Sequence, residues 1–162
     1  MTKRKGFTLI ELLIVVVIIG VLSSMMSISS TSATDSAKAS AIIGNLSTMK
    51  KAALADYIEN GDANWTTAAT VMGAIATYMG SVVDTADGSK IGNYSVKTDD
   101  SKSAWWITYT LQDDDSASVK AILAEKAKVA GLYGGAANDT TFTTNFAKTG
   151  DNYHAVVAMK IR

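Results

Sequence analysis

The chain has 162 residues, one domain's worth of sequence with a modest core, and 48% are hydrophobic against 19% charged. Its 15 basic and 15 acidic residues cancel, which leaves no general electrostatic case for nucleic acid. There is no cysteine, no proline and one histidine. Disulfides and thiol chemistry are therefore excluded, a zinc site lacks ligands, and turns must rest on Gly, Asn, Asp and Ser.

Lys3, Arg4 and Lys5 precede Gly6, and an apolar run follows from Phe7. It comprises Leu9, Ile10, Leu12, Leu13, Ile14, Val15, Val16, Val17, Ile18, Ile19, Val21 and Leu22, broken by Thr8, Glu11 and Gly20. As a helix, residues 7–28 would span about 33 Å, close to a hydrocarbon core of about 30 Å. A helix apolar on every side must be covered on every side. The basic leader predicts a cytoplasmic N-terminus with the rest of the chain outside. Glu11 needs a reason, because a charge inside a membrane segment costs about 3 kcal/mol. An ordinary secretory signal cut near Thr31-Ser32-Ala33, a permanent signal anchor and a buried core helix compete as readings.

The run from Lys3 to Leu22 resembles the class III signal of type IV prepilins and pseudopilins, closely over residues 4–30 and loosely to about residue 60. The resemblance implies that a membrane peptidase, which is also the methylase, cuts between Gly6 and Phe7 and methylates Phe7. It implies an inner-membrane precursor, an assembly platform in that membrane, and extraction into a helical surface filament of copies of the chain. Glu11 would pair with the α-ammonium of an incoming Phe7 and so set the register, since a paired carboxylate is tolerated where an unpaired one is penalised. The apolar residues 7–30 would be covered first by lipid and then by other subunits. Outside Lys3, Arg4 and Lys5, 12 basic residues face 15 acidic ones, a net charge of −3 for the processed chain.

Residues 23–36 hold nine Ser or Thr, which favour competing backbone bonds; relatives often place a proline here. With Gly20, this stretch could loosen in a filament or continue as helix. From Ser36 the pattern turns amphipathic, with Ala39, Ile42, Leu46, Met49, Ala53 and Tyr57 on one face and Lys38, Asn45, Lys50, Lys51 and Asp56 on the others. Asn60-Gly61-Asp62 stops the helix. The expected organisation is leader 1–6, transmembrane and assembly half 7–30, amphipathic half 31–60 and globular head 61–162.

In the head, Asn64 or Thr66 would cap a helix with Val71, Met72, Ile75 and Met79 on one face and Gly80 at its end. Asp87-Gly88 is a turn signal. Residues 90–97 form a strand candidate, and 104–112 a better one, with Trp105, Ile107, Tyr109 and Leu111 alternating against Trp106, Thr108 and Thr110. A helix starts at Ser116 and runs to about Ala130, with Val119, Ile122, Leu123, Lys126 and Ala130 on its face, closed by Gly131, Gly134 and Gly135. A last strand takes 153–162, with Tyr153, Ala155, Val157, Met159 and Ile161 on one face. The expected class is α+β, a long N-terminal helix packed on a small antiparallel sheet with one or two extra helices.

No catalytic set and no cofactor motif appears. His154, alone in a predicted strand, reads as packing or surface. Asp113, Asp114 and Asp115 are weak calcium candidates, with Asp139 and Asp151 as partners, against a solvated turn at a helix start. Asn45, Asn64, Asn93 and Asn138 open N-x-Ser/Thr triplets that coincidence explains. Trp105 and Trp106 read as one core and one partly exposed ring. Lys120, Lys126 and Lys128 share a helix with acidic and apolar residues, which is not a nucleic-acid groove. The reading is a structural pilin subunit, not an enzyme, whose head sets adhesion, surface character or DNA contact. The alternatives are a type II secretion or competence pseudopilin, and a signal-anchored binding protein or enzyme.

Overall fold

The computed structural model describes residues 7–80 and 90–162, and within them the side chains of all but residues 24–32 and 64. Gly6, the basic leader and the Asp87-Gly88 turn lie outside the described residues. The chain is α+β, with helices α1 (Leu9–Asn60), α2 (Ala68–Met79) and α3 (Ala117–Ala130). Two compact units divide it, residues 1–35 and 36–162, and α1 contributes to both.

In the first unit the described side chains from Phe7 to Ser23 are exposed. Among the described residues no helix is long and apolar enough to cross a membrane. The expected span over 7–28 reaches into 24–32, whose side chains lie outside the description.

The second unit is built on an antiparallel six-stranded sheet. Its strands are β1 (Lys90–Ile91), β2 (Tyr94–Thr98), β3 (Trp105–Thr110), β4 (Leu132–Gly135), β5 (Thr144–Asn145) and β8 (Val156–Lys160), in the order β1-β2-β3-β8-β4-β5. β6 (Lys148–Thr149) and β7 (Asn152–Tyr153) make a separate hairpin. The last strand thus lies at the centre of the sheet, with Met159 opposite both Ile107 and Leu132. α3 carries the chain from β3 past β8 to β4.

One face of the sheet receives the helices. Ala39, Ile42, Leu46, Met49 and Ala53 of α1 are buried, as their spacing requires, with Val71, Met72 and Ile75 of α2 and Val119, Leu123 and Ala127 of α3. Trp105, Ile107, Tyr109, Val157, Met159 and Ile161 meet them from the sheet. The opposite face is also covered, by a smaller cluster of Trp106, Phe142, Val156 and Ala158. Alternation therefore fails to mark a wet face, and both Trp105 and Trp106 are buried where one partly exposed ring was expected, Trp106 edge-on between Tyr133 and Phe142.

Several expectations are corrected. The α2 cap is Thr67, whose hydroxyl accepts the Thr70 N–H at 3.2 Å, rather than Asn64 or Thr66. Residues 90–97 are not one strand, because Gly92-Asn93 turns the chain between β1 and β2. Gly131 alone closes α3; Gly134 and Gly135 are strand residues that let other groups approach. A Cβ on Gly134 would lie 2.2 Å from His154 Nδ1, and one on Gly135 2.6 Å from Asp139 Oδ2. The 153–162 strand breaks at His154-Ala155 into the end of β7 and β8. Lys126 is exposed, and Ala127 takes the buried position. Asp56, assigned to an outer face, is buried and accepts hydrogen bonds from Trp65 Nε1 at 3.0 Å and Asn60 Nδ2 at 2.8 Å.

Candidate functional site

The first turn of α1 carries the chemistry expected of residues 7–11. Thr8 precedes the helix and Glu11 is its third residue. The Thr8 N–H and the Thr8 hydroxyl both donate to Glu11 Oε2 at 2.7 Å, and the Glu11 N–H donates to Thr8 Oγ1 at 3.3 Å. This is a reciprocal capping box, which satisfies two helix donors that have no partner in the helix. It gives Glu11 a local reason to exist: a carboxylate in the first turn meets the positive end of the helix dipole. Thr8 is the residue the sequence reading missed, although Thr-x-x-Glu ahead of an apolar run is a recognisable signal. Both Thr8 donors reach Oε2, one of the two carboxylate oxygens of Glu11.

Phe7 is 91% exposed, and the apolar side chains from Leu9 to Leu22 are each at least half exposed. Burial of an aliphatic side chain is worth about 1.5–3 kcal/mol, so the twelve exposed ones from Leu9 to Leu22 represent a large free energy available to whatever surrounds this helix.

The aspartate triplet does not act as a unit. Asp113 and Asp114 are exposed, whereas Asp115 is 2% exposed. Asp115 accepts from Lys38 Nζ at 2.7 Å, the Gln112 N–H at 2.8 Å and the Tyr109 hydroxyl at 3.1 Å, and Asp114 meets the same ammonium at 3.2 Å. Burial pushes the Asp115 carboxyl up, but Lys38, Gln112 and Tyr109 outweigh it and hold the group below its ordinary range. Burial and then the Asp115 charge push the Tyr109 phenol up to about 12. The arrangement ties α1 to the start of α3 through an ion pair whose carboxylate is buried and whose ammonium is part-exposed. Among the described residues no group of three or more His, Cys, Asp or Glu is placed to hold a metal ion. Asp139 instead accepts the Ala136 N–H, beside Gly135.

The remaining candidates are dispersed. His154 Nδ1 accepts the Ala147 N–H at 3.2 Å and its ring leans on Phe146, a packing role. The Asn45 amide donates to the Tyr94 hydroxyl, while Asn93 and Asn138 are exposed and the Asn64 side chain lies outside the description. Lys126 Nζ reaches Ser40 Oγ at 3.5 Å, Lys128 is exposed, and Lys120 is half-buried. Trp105 donates through Nε1 to the Lys102 carbonyl at 3.0 Å from within the core.

No curated protein and no solved structure matches the chain. Residues 1–27 match the family model described as the prokaryotic N-terminal methylation motif. The chain therefore carries the leader of type IV pilins and pseudopilins.

Proposed function

We propose that the chain is a structural subunit of a type IV pilus, made as an inner-membrane precursor with its head outside the cytoplasm. The prepilin peptidase cuts between Gly6 and Phe7 and methylates Phe7. The subunit then passes, with the help of an inner-membrane platform, into a helical surface filament of its own copies. The observation that carries this reading is the apolar helix behind the motif, whose described apolar side chains from Phe7 to Leu22 are exposed. Lipid covers them before assembly and neighbouring subunits afterwards.

Glu11 has two tasks in this reading. One oxygen closes the capping box with Thr8, and the carboxylate also receives the α-ammonium of an incoming Phe7. Glu11→Ala leaves cleavage largely intact and lowers incorporation. Normal filament yield from that variant would defeat the pairing role.

A secretion or competence pseudopilin shares this chemistry, and the cysteine-free head favours it as the second reading. Mass spectrometry of the native chain from sheared surface filaments and from membranes separates the two. A chain that begins at methylated Phe7 and is abundant in the sheared fraction supports the pilus. The same end confined to membranes supports the pseudopilin, and a chain beginning at Met1 or after Ala33 overturns both.

A further inference from the structure

Where α1 and α3 lie on the helix-bearing face of the sheet, a groove of about 670 Å³ opens between them. Ile43 and Gly44 of α1 and Val129 and Ala130 of α3 supply its apolar walls, and Ser40 and Ser47 add two small side chains along α1. We propose that this groove seats the apolar stem of a second copy of the chain, residues 12–22 of its α1. The proposal rests on the filament reading above and names the part of a neighbouring subunit that covers the stem.

Gly44 lies inside α1, where glycine lowers the folding equilibrium about fivefold relative to alanine. Its backbone does not require that cost, because it is not one of the glycines at positive φ. No neighbour requires it either, since a Cβ there would meet nothing within 4 Å. A glycine that the single chain does not need, on the wall of a groove, suits a backbone that is approached closely from outside. Ser40 and Ser47 stand four residues before and three after it, so the three share one face of the helix. Small side chains along that face let a second helix come near, at the lower end of the usual spacing of about 8–10 Å.

The rest of the lining selects the occupant. Val129 is 94% exposed and Ile43 is half-buried. One exposed valine is ordinary on a surface, but this one extends an apolar wall. The charged walls, Glu125 and Lys126, have opposite signs and offer no net field to a charged partner. From Ser40 to Ser47 the α1 wall is about 10 Å long, the diameter of one helix with its side chains. An apolar, uncharged helix therefore fits. Among the described residues, thirteen of the sixteen exposed large apolar side chains belong to residues 7–22, and the other three are Ile58, Tyr78 and Val129 itself. From Leu12 to Leu22 that stretch carries no charge and is apolar on every side, so any of its faces can enter the groove.

Groove and stem are different surfaces of the same molecule. A contact between them is heterologous, and repeating it extends an open helical polymer instead of closing a dimer. It also places two demands of opposite sign on Gly44. A larger residue there improves the helix of the single chain and fills the space that a second copy uses. Gly73, inside α2, is equally free of neighbours and is not one of the walls of the groove, so it meets only the first demand.

The test uses the full chain in native cells, where the absence of cysteine makes introduced thiols the only ones in it. Ser47→Cys is combined with one stem substitution at a time, from Leu12→Cys to Leu22→Cys, and sheared filaments are treated with a short bismaleimide. Cross-linked dimers and higher ladders are expected at one or more stem positions, and none from Ser47→Cys alone. Gly44→Leu should raise the folding equilibrium in micelles about fivefold, keep cleavage at Gly6–Phe7, and lower filament yield about tenfold or more by overfilling the contact. Gly73→Ala should raise the folding equilibrium and leave filament yield unchanged. Three results overturn the proposal and leave the filament reading intact: filaments in which Ser47→Cys links to no stem position, ladders from Ser47→Cys alone, or normal yield from Gly44→Leu. Absence of the native chain from filaments overturns both.

Discussion

Asp115→Asn removes one charge from a site that three donors address. The carboxylate is 2% exposed and takes Lys38 Nζ at 2.7 Å, the Gln112 N–H at 2.8 Å and the Tyr109 hydroxyl at 3.1 Å. A hydrogen bond to a charged group contributes about 1.5–3 kcal/mol, and an orphaned buried donor costs about 1–3 kcal/mol. The Lys38 share must be discounted to about 1 kcal/mol, because its side chain is 36% exposed and water can replace the partner. The asparagine oxygen still serves one donor, which leaves an expected loss of about 2–3 kcal/mol. Lys38→Met should cost about 1 kcal/mol, and the double variant about 1 kcal/mol less than the sum of the two. Urea unfolding of the full chain in micelles at pH 7 reads all three.

The pH dependence supplies an independent check. Folding lowers the Asp115 pKa, so its contribution is complete above the unfolded value near 4 and is lost as pH falls through the lower, folded value. The gap between the native chain and Asp115→Asn should therefore close in acid. Ultraviolet titration gives a second readout, since Asp115 helps hold the Tyr109 phenol at about 12 and its removal should bring that transition down. A gap below about 0.5 kcal/mol at neutral pH, within the range of an ordinary surface change, would refute the reasoning.

Three other expectations follow from the coordinates. Gly134→Ala places a Cβ 2.2 Å from His154 Nδ1 and should cost about 1–3 kcal/mol by overpacking, with most of that loss absent in a His154→Ala background; equal costs in both backgrounds would show that the ring is not the obstacle. The Arg162 guanidinium lies 4.6 Å from the Tyr57 ring centre and 5.1 Å from that of Trp65, and pairs with Asp62 at 2.8 Å. Arg162→Ala should lower stability by about 1–2 kcal/mol and Arg162→Lys should not restore it, because the planar stacking group is what matters; full recovery with lysine in a thermal melt would contradict this. Thr8→Val should speed amide exchange in the first turn of α1 about tenfold in micelles while Thr8→Ser does not, as expected for loss of a helix cap; unchanged exchange in Thr8→Val would remove the cap from the account.

What the sequence made legible depended on whether the partner of a residue lay nearby along the chain. The face of α1 from Ala39 to Ala53 was readable because helical periodicity alone fixes which side is buried. The cap at Thr8 and Glu11 and the turns at Gly92-Asn93 and Gly150-Asp151 were equally local; they were written in the sequence as Thr-x-x-Glu and as a glycine followed by Asn or Asp between strand residues. The remaining misses have remote causes. Asp56 looks like an outer residue until Trp65 and Asn60 supply its hydrogen bonds. Gly134-Gly135 resembles a helix stop until His154, Asp139 and Phe142 press against it.

Distance along the chain also explains the aspartate triplet. Three adjacent carboxylates suggest a shared ion, yet Asp115 turns inward because Lys38, far upstream on α1, and Tyr109 on β3 meet it there. Its neighbours Asp113 and Asp114 stay in water. The leader was legible because its chemistry is carried by consecutive residues. The groove between α1 and α3 was not, since Ile43 and Val129 come together only when both helices pack on one face of the sheet.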